Sequence, residues 1–181
     1  MYKRQLPTQL PFSASLAFEQ SYGEVDGDSS SLAIFCVLVS SLAKVALPQS
    51  IAVTGSIDQF GNVLSVGGVN QKIEGFFNVC EARGLTGKQG VVIPACCLSH
   101  LSLKPAVVEA VKAEQFHIWT VESVFEAVEI LLKHAFYAEE NAEKSDKPVL
   151  FDLIHQGIEQ SPNHDLEHKF WHKLFSWWKS H

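Results

Sequence analysis

The order of periodic segments along the chain predicts an α/β domain in which helices pack on a sheet. Short segments rich in β-branched residues alternate with longer segments that repeat apolar residues at helical spacing. The chain has 181 residues, of which 46% are hydrophobic and 19% are charged, and this composition supplies one substantial core but hardly two. We therefore expect one domain followed by a tail.

The domain is expected to begin with a strand and a long helix. Residues 12–20 alternate apolar and polar side chains, which predicts a half-buried strand. Residues 29–46 predict a helix that ends before Pro48. The residues expected to form the buried stripe of this helix are Ile34, Phe35, Leu38, Leu42 and Val45.

A hairpin and a second helix are expected next. Residues 50–57 and 63–66 have the composition of two strands, and the polar, glycine-containing loop between them favours a hairpin. Residues 70–83 predict a helix. Gly68 lets the chain turn before it, and Gly84 follows its last turn as a C′ glycine.

The last part of the domain is expected to alternate strands and helices. Residues 91–93 predict a buried strand and residues 116–119 another, with a helix over residues 104–115 between them. A helix over residues 121–134 should follow, capped by Thr120. Its predicted apolar stripe is Val124, Phe125, Val128, Leu131 and Leu132.

Ser29 and Lys72 are the candidate catalytic residues. Each lies near the start of a predicted helix, where unpaired N–H groups and the helix dipole favour negative charge. A serine becomes a nucleophile when a neighbouring base takes its proton, and a lysine can be that base when burial or positive potential lowers its pKa. The apolar Ile73 after Lys72 favours burial. The simpler alternative is that Asp28, Ser29 or Ser30 only caps the helix and that Lys72 is solvated.

The motifs around these residues resemble the proteolytic domain of the Lon family of ATP-dependent proteases. The similarity covers about residues 6–137, and the pattern is that of the proteobacterial ATP-dependent Lon homologues, which have Asp before the serine where bacterial A-type Lon has Pro. The resemblance implies the Lon proteolytic fold, which is ribosomal-protein domain-two-like, with helices packed on a mixed sheet. The matching segments are Gly27-Asp28-Ser29-Ser30-Ser31, Ile51-Ala52-Val53-Thr54-Gly55-Ser56-Ile57, Gly61-Asn62-Val63-Leu64-Ser65-Val66-Gly67-Gly68, Lys72 and Gly90-Val91-Val92-Ile93-Pro94.

The same resemblance implies roles for three residues, and two neighbouring positions, Asp28 and Ser30, depart from the usual pattern as candidate supporting or oxyanion residues. Ser29 would be the nucleophile and Lys72 its general base, while Thr54 would support the lysine. From the residues alone, β propensity is the favoured explanation of Thr54. Asp28 departs from the A-type pattern, and we expect it to pair with Lys72 in a resting, inactive arrangement, because a carboxylate favours the ammonium form of a lysine. Ser30 stands where the family usually has Ala. Its hydroxyl either competes for Lys72 or, as we prefer, faces solvent at the second helical position.

The resemblance also implies partners. The substrate would be a polypeptide, the full-length protein a hexameric ring, and ATP with Mg would belong to an ATPase module of the parent protein. No cofactor is expected in this chain, and it contains no Gly-x-x-x-x-Gly-Lys-Ser/Thr phosphate loop. Residues 1–5 resemble translated adapter sequence, so we expect an N-terminally truncated piece. The alternatives are a non-catalytic Lon-like assembly domain and, less favoured, a Ser-His-Asp triad.

Charge and cysteine content exclude other classes. A net charge of -6 argues against nucleic acid as the main partner. The four cysteines lack Cys-x-x-Cys spacing, so neither a zinc site nor a disulfide framework is indicated, and Cys36 and Cys80 should be core residues. No signal core or membrane span is evident, and a cytoplasmic location is expected.

The tail is expected to be separate from the domain. Residues 138–148 have the composition of a polar linker, and residues 149–181 form the tail, which begins with an amphipathic helix over residues 149–159. Its end interleaves aromatic and basic residues, which suits contact with a membrane interface, docking in a groove, or packing back onto the domain or a neighbouring subunit. Three histidines at four-residue spacing favour a metal site only weakly and are His164, His168 and His172.

Overall fold

A three-stranded parallel sheet lies at the centre of the fold. The computed structural model describes residues 14–17, 27–137 and 148–160. The strands of the sheet are β1 (Ile51–Val53), β4 (Gln89–Pro94) and β5 (Phe116–Val121), with β4 in the middle. A two-stranded antiparallel hairpin lies beside it, formed by β2 (Ser56–Ile57) and β3 (Val63–Leu64). The helices are α1 (Ser31–Ala43), α2 (Val69–Arg83), α3 (Pro105–Lys112), α4 (Val124–Leu132) and α5 (Leu150–Glu159), and a 3₁₀ helix spans Ala95–His100.

Helices cover both faces of the sheet. Side chains of a strand alternate between its faces, and β4 accordingly sends Val92 into one apolar cluster and Val91 and Ile93 into another. The first cluster contains the buried residues of α1, α4 and α5, and the second contains those of α2 and α3. The predicted mixed α/β architecture is therefore confirmed.

The predicted strand over residues 50–57 is interrupted at Thr54 and Gly55. The backbone N–H of Thr54 still donates to Val92 O at 3.1 Å, but Gly55 turns towards α1. The carbonyl of Gly55 accepts from Leu32 N at 3.1 Å, and a Cβ at Gly55 would lie only 2.9 Å from Leu32 Cδ2. This close approach requires a glycine and brings the interrupted strand to the start of α1.

The helix predicted over residues 29–46 is shorter and presents a different face. It begins at Ser31 and ends where Lys44 adopts a left-handed conformation, with φ 54°. The expected stripe is wrong, because each of its members is only partly buried. The buried residues of α1 are Leu32, Cys36, Val39 and Ala43.

Other boundaries also differ from expectation. α4 is capped by Ser123 instead of Thr120, because β5 continues through Val121; the Ser123 hydroxyl accepts from Glu126 N at 3.3 Å. Residues 14–17 are exposed and in no strand, so the expected strand is wrong there; its other residues lie outside the described ones. Three further predictions also fall outside the described residues. They are residues 138–147 of the expected linker, the histidine group and the aromatic end of the tail.

The predictions for α2 and α5 agree closely with the structure. α2 begins one residue earlier than expected, after a left-handed Gly68, and the helix predicted over residues 149–159 is α5. α5 packs its buried residues into the same cluster as α1 and α4. Over the described ranges, we find no helix with the length and apolar character needed to cross a bilayer.

Candidate active site

Ser29 lies in a tight turn directly before α1. The turn starts at Gly27, whose φ of 93° is favoured by glycine. The Ser29 carbonyl accepts two hydrogen bonds from the interrupted strand, one from Gly55 N at 2.9 Å and one from Thr54 Oγ1 at 3.2 Å. These bonds hold the backbone of Ser29 against the sheet.

The side chains at this helix start do not cap it in the usual way. Ser30 is the N-cap residue, not the second helical residue, and its hydroxyl makes no capping bond. The Ser31 hydroxyl donates to the backbone carbonyl of Asp28 at 2.5 Å. Among the described residues, the Ser29 hydroxyl has no hydrogen-bond partner. The cap interpretation therefore has no side-chain bond to support it here, and the Ser29 hydroxyl is available for other contacts.

Thr54 connects Lys72 with Ser29. Lys72 is the fourth residue of α2, and its Nζ donates to Thr54 Oγ1 at 3.2 Å. The same hydroxyl donates to the Ser29 carbonyl. Lys72 is thereby held one hydroxyl group away from the backbone of Ser29. The burial expected for Lys72 is not found in this chain, since Lys72 is exposed.

Asp28 is bonded to Ser56, not to Lys72. The Ser56 hydroxyl donates to Asp28 Oδ2 at 2.6 Å, and Ser56 is only 4% exposed. The ion pairs formed within the described ranges do not include Asp28 and Lys72, so the expected resting pair is wrong for this structure. A hydrogen bond between a hydroxyl and a carboxylate is strong because it is charge-assisted. Nothing in the sequence singles out Ser56.

The turn also offers unpaired N–H groups. Within the described part of the chain, the backbone N–H groups of Ser29 and Ser30 form no hydrogen bond. They lie at the N-terminus of α1, where the helix dipole favours negative charge. A serine hydroxyl and free N–H groups in one turn, with an amine connected to that turn through Thr54, are groups that acyl transfer can use.

The cysteines of the chain offer no alternative nucleophile in α1. Cys36 is buried in α1, and burial raises its pKa to about 12, so it stays a protonated thiol. All four cysteines are free thiols, and Cys36 and Cys80 are core residues as predicted. In the described ranges, no three His, Cys, Asp or Glu side chains are grouped so that they could hold a metal ion.

Comparison with known families identifies the domain. Residues 23–134 match the family of Lon protease (S16) C-terminal proteolytic domains. The chain belongs to this family. The matched range of the Lon proteolytic domain contains Ser29, Thr54 and Lys72 together with the five strands found in the described residues.

Individual Lon relatives agree with this assignment. The chain is 59% identical over 169 residues to the Haemophilus influenzae protein named "Putative Lon protease homolog", and 49% identical over 170 residues to the Escherichia coli protein of the same name. These alignments cover 92% and 94% of the chain. The archaeal Lon protease of Methanocaldococcus jannaschii is 34% identical over 142 residues, which is 78% of the chain. The chain spans only 28%, 28% and 16% of these relatives, respectively.

Proposed function

We propose that this Lon proteolytic domain hydrolyses peptide bonds with Ser29 as the nucleophile and Lys72 as the general base. The observation that supports this most is the hydrogen-bond path from Lys72 Nζ through Thr54 Oγ1 to the Ser29 carbonyl. This path connects Lys72, Thr54 and the backbone of Ser29, which come from three separate segments and are residue types that a serine–lysine mechanism would use.

The proposed peptide hydrolysis proceeds in two half-reactions. Lys72 takes the proton of the Ser29 hydroxyl as the oxygen bonds to the substrate carbonyl carbon, and the N–H groups of Ser29 and Ser30 stabilise the oxyanion. When the C–N bond breaks, the Lys72 ammonium gives its proton to the leaving amine. Lys72 then takes a proton from water, which attacks the acyl ester; the ester bond breaks, and the proton returns to Ser29.

Thr54 gives Lys72 a useful orientation. A neutral amine has two N–H bonds and one lone pair. With one N–H donating to Thr54 Oγ1, the lone pair is free to accept from the Ser29 hydroxyl. Because Lys72 is exposed in this chain, we propose that the bound polypeptide or a neighbouring subunit excludes water from it, which favours the neutral amine.

The parent protein completes the proposal. We propose an ATP-dependent peptidase that acts on unfolded or damaged proteins and assembles as a hexameric ring. ATP and Mg would be bound by its ATPase module. The proposal includes a cytoplasmic location, since all four cysteines are free thiols.

The second candidate is a non-catalytic domain for ring assembly or binding. It is favoured by one observation: among the described residues, Lys72 donates to Thr54 and not to the Ser29 hydroxyl. On this candidate the Ser29 hydroxyl would be no more reactive than an ordinary serine hydroxyl.

Covalent labelling distinguishes the two candidates. The purified chain is treated with a serine-directed fluorophosphonate and mapped by intact mass and peptide mass spectrometry. We expect one label at Ser29, lost in Ser29→Ala and reduced at least about a hundredfold in Lys72→Ala, the order of a general-base contribution. The controls are Ser41→Ala and Lys88→Ala, which remove an exposed serine and an exposed lysine elsewhere.

The outcomes are distinct. Labelling at Ser29 that survives Lys72→Ala contradicts the assigned base. No labelling of this chain, with labelling of the matching serine in the longer parent, means that the site needs its neighbours. No labelling in either protein supports the assembly domain.

A further inference from the structure

We propose that Asn70 is a positioning residue for Lys72, because it fixes the rotation of α2 about its own axis. The inference rests on the proposed role of Lys72. Asn70 lies in the first turn of α2, two residues before Lys72, and its amide binds the backbone at the end of the 3₁₀ helix and just after it. Its Nδ2 donates to His100 O at 3.1 Å, and its Oδ1 accepts from Ser102 N at 2.9 Å.

Among the described residues, no other side chain in the first turn of α2 forms two hydrogen bonds to the backbone of another segment. The N-cap is Gly68, which has φ 68° and no side chain to cap the helix. One face of α2 is held by buried residues such as Val69 and Ile73, but hydrophobic contact is non-directional and tolerates a small rotation. A pair of hydrogen bonds to one amide is directional. Asn70 therefore fixes the rotation of α2 about its axis, which apolar packing alone does not fix.

The segment that receives Asn70 is itself anchored. Leu101 and Leu103 pack into the same apolar cluster as α2. One turn after Asn70, Glu74 Oε1 accepts from Lys104 N at 3.0 Å, and Glu74 Oε2 lies 3.2 Å from Lys104 Nζ. Residues four apart share a helix face, so Asn70 and Glu74 attach one side of α2 at two successive turns.

The geometry of a helix relates this attachment to Lys72. Successive residues of an α-helix are rotated by about 100° about its axis. Asn70 and Glu74 therefore lie at one edge of the buried stripe of α2, and Lys72 lies at the other edge. Side chains extend to a radius of about 5–6 Å, so a rotation of about 20° moves the end of one by about 2 Å. Such a shift would break the 3.2 Å bond from Lys72 Nζ to Thr54.

A double-mutant cycle tests whether Asn70 acts through Lys72. The rate of Ser29 labelling by fluorophosphonate is measured in Asn70→Ala, in Lys72→Ala and in the double variant. We expect Asn70→Ala to lower the rate about tenfold in the wild-type background and not at all in the Lys72→Ala background. Asn70→Gln, which keeps the amide, should restore part of the rate. Asn78→Ala, an exposed asparagine on the same helix, is the control and should label at the wild-type rate.

Acetylation of lysines provides a readout that does not depend on Ser29. Limiting acetic anhydride and peptide mapping give the rate at Lys72 relative to the exposed Lys88. Asn70→Ala should raise this ratio severalfold, because Nζ leaves Thr54, whereas Asn78→Ala should not change it.

The two readouts separate the failure of this inference from that of the proposed function. If neither this chain nor the longer parent takes a label at the serine, the proposed function fails, and the acetylation ratio still decides the role of Asn70. An unchanged ratio in Asn70→Ala overturns the inference. So does an equal loss of labelling rate in both backgrounds, which indicates a purely structural role.

Discussion

Thr54 uses one hydroxyl for two bonds that bear on the proposed reaction. It accepts from Lys72 Nζ and donates to the Ser29 carbonyl, each at 3.2 Å. Valine has nearly the same shape without the hydroxyl. We predict that Thr54→Val lowers the rate of Ser29 labelling about tenfold or more, because Lys72 loses its orientation, and that Thr54→Ser stays within about threefold of wild type.

The fold should survive this change, because the Ser29 carbonyl keeps its bond from Gly55 N. Thermal unfolding of both variants checks this, and a Thr54→Val protein that melts normally and labels at the wild-type rate would refute the role given to Thr54.

The residues of the site differ in how well the sequence predicts them. Ser29, Thr54 and Lys72 stand in motifs that resemble a known family, and a hydrogen-bond path connects them. The partner of Asp28 was missed. Ser56 lies 28 positions away from Asp28, and only the turn of the chain at Gly55 brings it there. A buried serine in a strand carries no local signal of such a contact.

Among the elements, α2 carries two glycines with opposite physical roles. Gly68 precedes the helix with φ 68°, whereas Gly75 lies within it, and a Cβ there would meet nothing within 4 Å. We predict that Gly75→Ala raises the free energy of unfolding by about 0.5–1 kcal/mol and that Gly68→Ala lowers it by about 1–2 kcal/mol.

Urea unfolding followed by circular dichroism measures both changes. Each variant is the control for the other, since both add one methyl group, one within α2 and one directly before it. Changes of the same sign would mean that backbone conformation does not decide the effect.

The face of α1 shows why some elements resist prediction from sequence. Residues 32–39 are all apolar, so helical periodicity does not distinguish one face from another. The buried face is instead chosen by tertiary contacts, in which Leu32 meets Gly55 and α5 covers the other end. In α4, polar residues interrupt the pattern, and four of the five predicted stripe residues are buried.

For the whole molecule, the class of fold is easier to predict from sequence than the topology of its strands and helices. Alternating strands and helices indicate an α/β domain, and the structure has one. The strand order β1-β4-β5 is set by crossovers that local patterns do not encode. The role of α5 was also not evident, since its amphipathic pattern fits a separate tail equally well. Its Leu150, Phe151, Ile154 and Ile158 are all buried.

Contact between α5 and α1 joins the C-terminal part of the described chain to the helix that follows Ser29. At Gly157 the two helices approach so closely that an added Cβ would lie 1.8 Å from Leu42 O. The contact is with backbone, so one side chain cannot move aside to relieve it, and α5 would have to shift away from α1. We predict that Gly157→Ala lowers the free energy of unfolding by about 1–3 kcal/mol, as overpacking does.

Urea unfolding measures the loss, and limited proteolysis should cut near α5 sooner in this variant. Gln156→Ala is the control, because it adds the same residue at an exposed position of α5. Since α1 positions the turn that carries Ser29, labelling of Ser29 should slow as well in Gly157→Ala. If Gly157→Ala is as stable as Gln156→Ala, α5 does not pack against α1 in solution, and it belongs to a tail that is independent of the proteolytic domain.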